Sequence, residues 1–257
     1  MNYKIVFFDV DGTLINYEDG YISASTKNAI QILKNKGIKL VVATGRPLSM
    51  CQELKDLGID TFITANGAYT KHQNQVIHKI PLAKHIVRSV KEVADENKQS
   101  LSFFTEELTM NKIHNPTTFQ AMSETLSLLE YPKINEENVN EEIYLMCLYA
   151  GEEIVRKYEI QFPELTFQRW HPYIVNVLQE EVSKSIAVKE VLKYFNIHSS
   201  EAIAFGDGDN DIDMLESVGY GISMGNGSEK LKNIADFVTK KSNEDGIEFA
   251  LQHLQLI

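Results

Sequence analysis

Five aspartates in two short clusters carry most of the chemical information: Asp9 and Asp11 in Asp9-Val10-Asp11-Gly12-Thr13-Leu14, and Asp207, Asp209 and Asp211 in Gly206-Asp207-Gly208-Asp209-Asn210-Asp211. Each cluster follows an apolar run that reads as a buried strand, and the carboxyl ends of strands are where ligands bind in open α/β sheets. A lone aspartate is most often a turn residue or a helix cap. Two clusters at neighbouring strand ends would instead bring like charges together at a cost, unless a cation lies among them. An all-oxygen donor set is the kind that Mg²⁺ prefers. Thr44, in Ala43-Thr44-Gly45-Arg46, can offer its hydroxyl and the adjacent backbone N–H groups, that of Gly45 included, to a phosphate. Lys184 supplies a point charge suited to a phosphoryl oxygen. Arg46 is a candidate for the rim of a substrate site.

These residues need a scaffold that gathers them. Residues 4–10 form a continuous apolar run, as in a strand buried on both faces of a parallel sheet. Ser25 is expected to cap a helix that Gly37 ends, and residues 39–43 read as a second buried strand. Pro47 opens a helix that runs to Leu57 and stops at Gly58, and residues 62–64 make a third strand. The C-terminal part repeats the alternation: helices at 183–195, 209–217, 228–234 and 244–254, with strands at 202–205, 221–224 and 237–239. The pattern predicts a doubly wound, Rossmann-like parallel sheet.

Residues 84–178 differ. Helices at 84–98, 116–129 and 152–162 alternate with strands at 101–105, 143–150, 165–169 and 173–178, which suggests an α+β unit with an antiparallel sheet. The expected plan is a core of residues 1–82 and 183–257, interrupted by an inserted α+β domain at 83–182.

Composition sets bounds on partners. The 257 residues are 43 % hydrophobic and 24 % charged, ordinary for a globular protein, and the net charge is −11. Neither nucleic acid nor an anionic membrane attracts such a surface, so neither is expected as a partner. The longest apolar stretch, residues 143–150, is far short of the ~18 that would span a bilayer. Asp9 interrupts the N-terminal apolar run too early for a signal peptide. Cys51 and Cys147 show no CxxC pattern and read as reduced, buried thiols, and the protein is expected to be cytoplasmic. The seven histidines show no zinc spacing.

The motif Asp9-Val10-Asp11-Gly12-Thr13-Leu14, Thr44, Lys184 and the 206–211 cluster, in this order, resembles the four motifs of the haloacid dehalogenase superfamily. Asn66-Gly67-Ala68 and Met224-Gly225-Asn226-Gly227 resemble its Cof-type branch, subfamily IIB. Ser185 departs from the glycine usual after the motif lysine. The resemblance implies a Mg²⁺-dependent phosphatase acting on small phosphorylated metabolites, such as sugar phosphates or cofactor phosphates. It makes Asp9 the nucleophile that forms an aspartyl-phosphate, and Asp11 the acid and base. It gives the metal to Asp9, the Asp11 carbonyl and Asp207, and phosphoryl oxygens to Thr44, Gly45, Lys184 and Asn210. Asp211 would orient Lys184 or a metal-bound water, and the insert would be a cap that reads the leaving group. Dehalogenases of the superfamily lack the second aspartate, and P-type ATPases read DKTGT, so neither reaction is expected. A phosphohexomutase and a non-catalytic phosphate-binding regulator are the alternatives. In the insert, Arg169-Trp170-His171-Pro172-Tyr173 reads first as packing and surface, and second as a substrate contact.

Overall fold

The structure is a computed structural model that describes residues 3–18, 20–126 and 128–257. The chain divides into two compact units. The first comprises Met1–Gly45, Cys51–Lys79 and Ser183–Ile257, the second Arg46–Met50 and Ile80–Val182.

In the first unit, apolar runs become strands buried throughout. They are β1 (Ile5–Phe8), β2 (Lys39–Ala43), with only Lys39 exposed, and β3 (Thr61–Thr64). Two further strands, β4 (Tyr69–His72) and β5 (Gln75–Lys79), form a hairpin that the sequence pattern does not anticipate. Helix α1 (Ala24–Asn35) joins β1 to β2, and α2 (Gln52–Asp56) precedes β3. The cap of α1 is Ser23, whose side chain accepts from Thr26 N–H, and not Ser25. Ser25 lies inside the first turn, and its hydroxyl is bonded instead to the distant Asp245 carboxylate. Gly37 and Gly58 do follow their helices with positive φ, as expected.

The second unit is built on six strands. These are β6 (Ser100–Phe104), β7 (Leu108–Met110), β8 (Lys133–Ile134), β9 (Leu145–Tyr149), β10 (Thr166–His171) and β11 (Ile174–Leu178). Their order is β10-β11-β9-β6-β7-β8, antiparallel except for the short β7–β8 pair. The strands β7 and β8 are additions to the expected set. Helices α3 (Lys84–Glu96) and α5 (Glu152–Gln161) bury Val87, Val90, Val155 and Tyr158 against Leu101, Phe103, Met146 and Val175. The other sheet face carries Ser100, Ser102, Cys147 and Asn176. Helix α4 (Pro116–Leu126) meets it through Thr118, whose hydroxyl donates to Ser100 Oγ at 3.0 Å. The expected extension of α4 to residue 129 runs through Ser127, outside the described residues. Ser49 N–H donates to Glu106 O at 2.8 Å, which ties Arg46–Met50 to this unit.

The chain then returns to the first unit through α6 (Lys184–Phe195), β12 (Ala202–Gly206), α7 (Ile212–Glu216), β13 (Tyr220–Ser223), α8 (Glu229–Ile234), β14 (Phe237–Val238) and α9 (Gly246–His253). The eight-stranded sheet runs β14-β13-β12-β1-β2-β3-β4-β5. It is parallel from β14 to β3 and antiparallel at the β4–β5 hairpin. Helices α6, α7 and α8 cover one face, packing Val188, Val191, Met214 and Leu231 on Ile5, Phe7, Val41 and Ala204. Helix α1 packs on β2 and against α9. The fold is therefore a doubly wound, Rossmann-like core with an α+β insert. Both cysteines are buried and in no disulfide, and among the described residues no helix is long and apolar enough to cross a membrane.

Candidate active site

Strand order places the two aspartate clusters side by side. β1 pairs with β12 on one edge and β2 on the other, in parallel, so Asp9, Asp207 and Thr44 leave the sheet at the same end. Asp9 N–H still donates to Phe205 O at 3.0 Å, which holds the residue in line with the sheet. The chain then turns sharply, with Ile15 N–H donating to Val10 O at 2.8 Å and Gly12 at φ +89°. A methyl on Gly12 would run into the Asp207 carboxylate and the Tyr17 ring, so only glycine fits there.

Lys184 opens α6 behind the N-cap Ser183, and its side chain is buried. Its Nζ donates to Asp9 Oδ1 and to Asp211 Oδ1, both at 2.6 Å. These groups are almost out of reach of water: Lys184 is 1 % exposed, Asp9 6 %, Asp207 8 % and Asp211 1 %. Asp211 is fully engaged, because its Oδ2 also accepts the N–H groups of Asp207 and Gly208, each at 3.0 Å. Asp207 is held by the Thr13 hydroxyl at 3.1 Å, and Ser228 N–H donates to its carbonyl at 2.9 Å.

One ammonium faces three buried carboxylates. Asp9, Asp207 and Asp211 can each place an oxygen within 4.8 Å of the other two. Burial, and next the charge of Asp211, holds the Asp9 carboxyl well above the usual range even though Lys184 works against it. Burial and Asp211 push Asp207 up to about 7, with the Thr13 hydroxyl opposing. Lys184 responds in kind: burial disfavours its charge, but Asp211 and Asp9 outweigh that and raise its pKa. Carboxylates that resist ionising together are the ones a hard divalent cation would relieve, so the donor set fits Mg²⁺.

The remaining sequence candidates fall into two groups. Thr44 is buried, and its N–H donates to Ile63 O at 2.8 Å. Gly45 and Asn210 come together through Asn66, whose Oδ1 accepts from Asn210 Nδ2 at 3.4 Å. The Asp11 carbonyl stands beside Asp207, bridged by the Tyr17 hydroxyl, which donates to Asp11 O at 2.8 Å and lies 3.5 Å from Asp207 Oδ2. Arg46 groups with the second unit and is not among the residues this unit gathers. Ser185, in place of the usual glycine, uses its N–H to reach Asp213 Oδ2 at 3.0 Å and leaves Lys184 in position.

Three contributors go beyond the sequence candidates. Asn226 Nδ2 donates to Gly12 O at 2.8 Å, and Asn66 braces Asn210. Both lie in segments that the sequence sets apart, without a stated task. Nothing in the local sequence marks Tyr17. In the second unit, Trp170 Nε1 donates to Asn176 Oδ1 at 2.9 Å and His171 pairs with Glu124, but the Trp170 and Tyr173 rings are half exposed, so the segment expected to pack is not buried.

The carboxylate–lysine cluster thus lies at the strand ends of a doubly wound sheet whose chain is interrupted by an α+β insert. The family model for haloacid dehalogenase-like hydrolases matches residues 6–251. YkrA of Bacillus subtilis, provisionally named a phosphatase, is 35 % identical over 260 residues that span all of both chains. The crystal structure of a hypothetical protein from Geobacillus kaustophilus HTA426 superposes with a TM-score of 0.91 at 36 % identity, covering 99 % of this chain and 100 % of that one. A haloacid dehalogenase subclass IIB sugar phosphatase gives a TM-score of 0.82 at 32 % identity, with 99 % and 100 % covered. The chain belongs to the haloacid dehalogenase-like hydrolase family, and it is a phosphatase.

Proposed function

We propose that the protein is a Mg²⁺-dependent phosphatase of small phosphorylated metabolites, with sugar phosphates or cofactor phosphates as substrates, working through an aspartyl-phosphate on Asp9. The observation that carries this reading is the Asp9–Lys184–Asp211 chain beside Asp207, a buried carboxylate array with Lys184 as its counter-charge. The likeness to a subclass IIB sugar phosphatase supports the substrate class.

Asp9, Asp207 and the Asp11 carbonyl would hold the ion, since both Asp211 oxygens are already taken by Lys184 and two N–H groups. When bound, Mg²⁺ offsets the repulsion between the Asp9 carboxylate and a dianionic phosphate. Lys184, Thr44, the Gly45 N–H and Asn210 bind phosphoryl oxygens and fix the phosphorus in line with Asp9. The Asp9 oxygen attacks phosphorus, and the bond to the leaving oxygen breaks as Asp11 gives that oxygen its proton. Asp11, now ionised, takes a proton from water, which attacks the same phosphorus and returns Asp9 as a carboxylate with inorganic phosphate. Asp211 keeps Lys184 oriented through both steps. The second unit, to which Arg46 belongs, serves as the cap that selects the leaving group.

The test is phosphate release from a broad panel of phosphorylated metabolites, with Mg²⁺ and after chelation. Chelator-sensitive release from sugar phosphates or cofactor phosphates is expected. Release that survives chelation, or no release from any monoester, contradicts the reading.

A further inference from the structure

The segment Ala65-Asn66-Gly67 has no part in the chemistry above, yet it concentrates backbone strain next to it. All three residues have positive φ: 49°, 55° and 106°. Such a run is uncommon outside glycine and persists only where surrounding structure enforces it. Here the enforcement is on both sides. Asn66 N–H donates to Thr44 O at 3.1 Å, and Gly67 is pressed against the Ser183 carbonyl, where a Cβ would not fit. The segment is thus wedged between the residue that follows β2 and the residue that caps α6 ahead of Lys184.

The wedge aims one side chain. Asn66 Oδ1 accepts from Asn210 Nδ2 at 3.4 Å, and it lies 3.0 Å from where a Cβ on Gly45 would stand. One carboxamide therefore touches the loop after β12 and the loop after β2, which lie on opposite sides of β1 and Asp9 in the strand order. At 3.4 Å the bond between the two amides is long.

We infer that Asn66 is a positioning residue: its carboxamide braces Asn210 and Gly45 across Asp9, so that both loops meet the same phosphoryl group. This rests on the reading of Asn210 and Gly45 as phosphate ligands. An asparagine chosen only because it tolerates a left-handed backbone would make a different prediction, because glycine tolerates that backbone better.

The experiment compares the wild type, Asn66→Gly, Asn210→Ala and the double variant, reading the inhibition constant of inorganic phosphate, kcat/KM and the thermal midpoint. Asn66→Gly is expected to melt within a few degrees of the wild type and to weaken phosphate inhibition about tenfold, with kcat/KM falling in step. The double variant should lose less than the sum of the two single losses, as expected of residues in contact. Gly45→Ala approaches the same contact from the other side. Its methyl should weaken phosphate binding several-fold in the wild type and less than about twofold in the Asn66→Gly background, where the space is open. Unchanged phosphate inhibition in Asn66→Gly, or fully additive losses, would overturn the inference. Unchanged inhibition in Asn210→Ala would overturn it through the assignment of Asn210 to phosphate, a separable result.

Discussion

Lys184 Nζ stands 2.6 Å from Asp9 Oδ1, inside a pocket where neither side chain sees appreciable solvent. The same ammonium holds Asp211 at 2.6 Å, so the charge of one lysine is shared between two carboxylates while Asp207 lies close by. The lysine is therefore structural and electrostatic at once.

Replacing it tests both roles. Lys184→Met leaves buried carboxylates without their counter-charge and should cost about 3–5 kcal/mol of stability as well as phosphatase activity. With the lysine gone, the Asp9 carboxyl is raised further. A raised carboxyl pKa adds stability below its unfolded value and loses it as pH climbs through the folded one. Urea unfolding should thus show a larger deficit near pH 8 than near pH 5. A deficit that is the same at both would contradict these roles.

Asp207 predicts how the metal-free protein responds to pH. Its carboxyl is pushed from 3.8 up to about 7, by burial first and Asp211 second. The folded state then binds a proton that the unfolded state releases, so stability should fall as pH rises from about 4 to about 7. Mg²⁺ should oppose the loss, raising the melting temperature most near neutrality and little at the acid end. Asp207→Asn should flatten the pH slope and abolish the rise with Mg²⁺. Melting curves with and without the ion check both, and a full Mg²⁺ response in the variant would refute the assignment.

Gly12 links the turn to Asp207. At φ +89°, with the Asp207 carboxylate and the Tyr17 ring where a Cβ would stand, it has no room for a methyl. Gly12→Ala should destabilise by about 1–3 kcal/mol and displace Asp207, lowering activity even in excess Mg²⁺. Calorimetry and phosphate release measure the two effects, and a wild-type melting temperature would show that the turn is not constrained in this way.

Much of the fold and site is legible in the chain because burial and position leave local marks. β1, β2 and β12 read as unbroken apolar runs since both sheet faces are covered, and the aspartates announce themselves at the ends of two of them. The hairpin β4–β5 is not legible: Tyr69–His72 and Gln75–Lys79 are largely polar, and their turn places Gln73, not glycine, at φ 52°. The α1 cap falls two residues before the expected one, at Ser23, and both serines reach Asp245, a partner that only tertiary structure supplies. Tyr17 is the corresponding case in the site. Its hydroxyl reaches Asp11 O through a loop fold that no spacing encodes.

Attack of Asp9 on phosphorus is tested most directly by trapping the phosphorylated enzyme. Acid quenching during turnover, followed by proteolysis and mass spectrometry, locates the phosphate on a peptide. Turnover in heavy-oxygen water adds a second reading, because water that attacks phosphorus leaves its oxygen in the released phosphate and none in the Asp9 carboxylate. Phosphate on the Asp9 peptide of the wild type, and none on that of Asp9→Asn, is the predicted result. Steady turnover with no phosphorylated Asp9 peptide, or with phosphate on another residue, would contradict it.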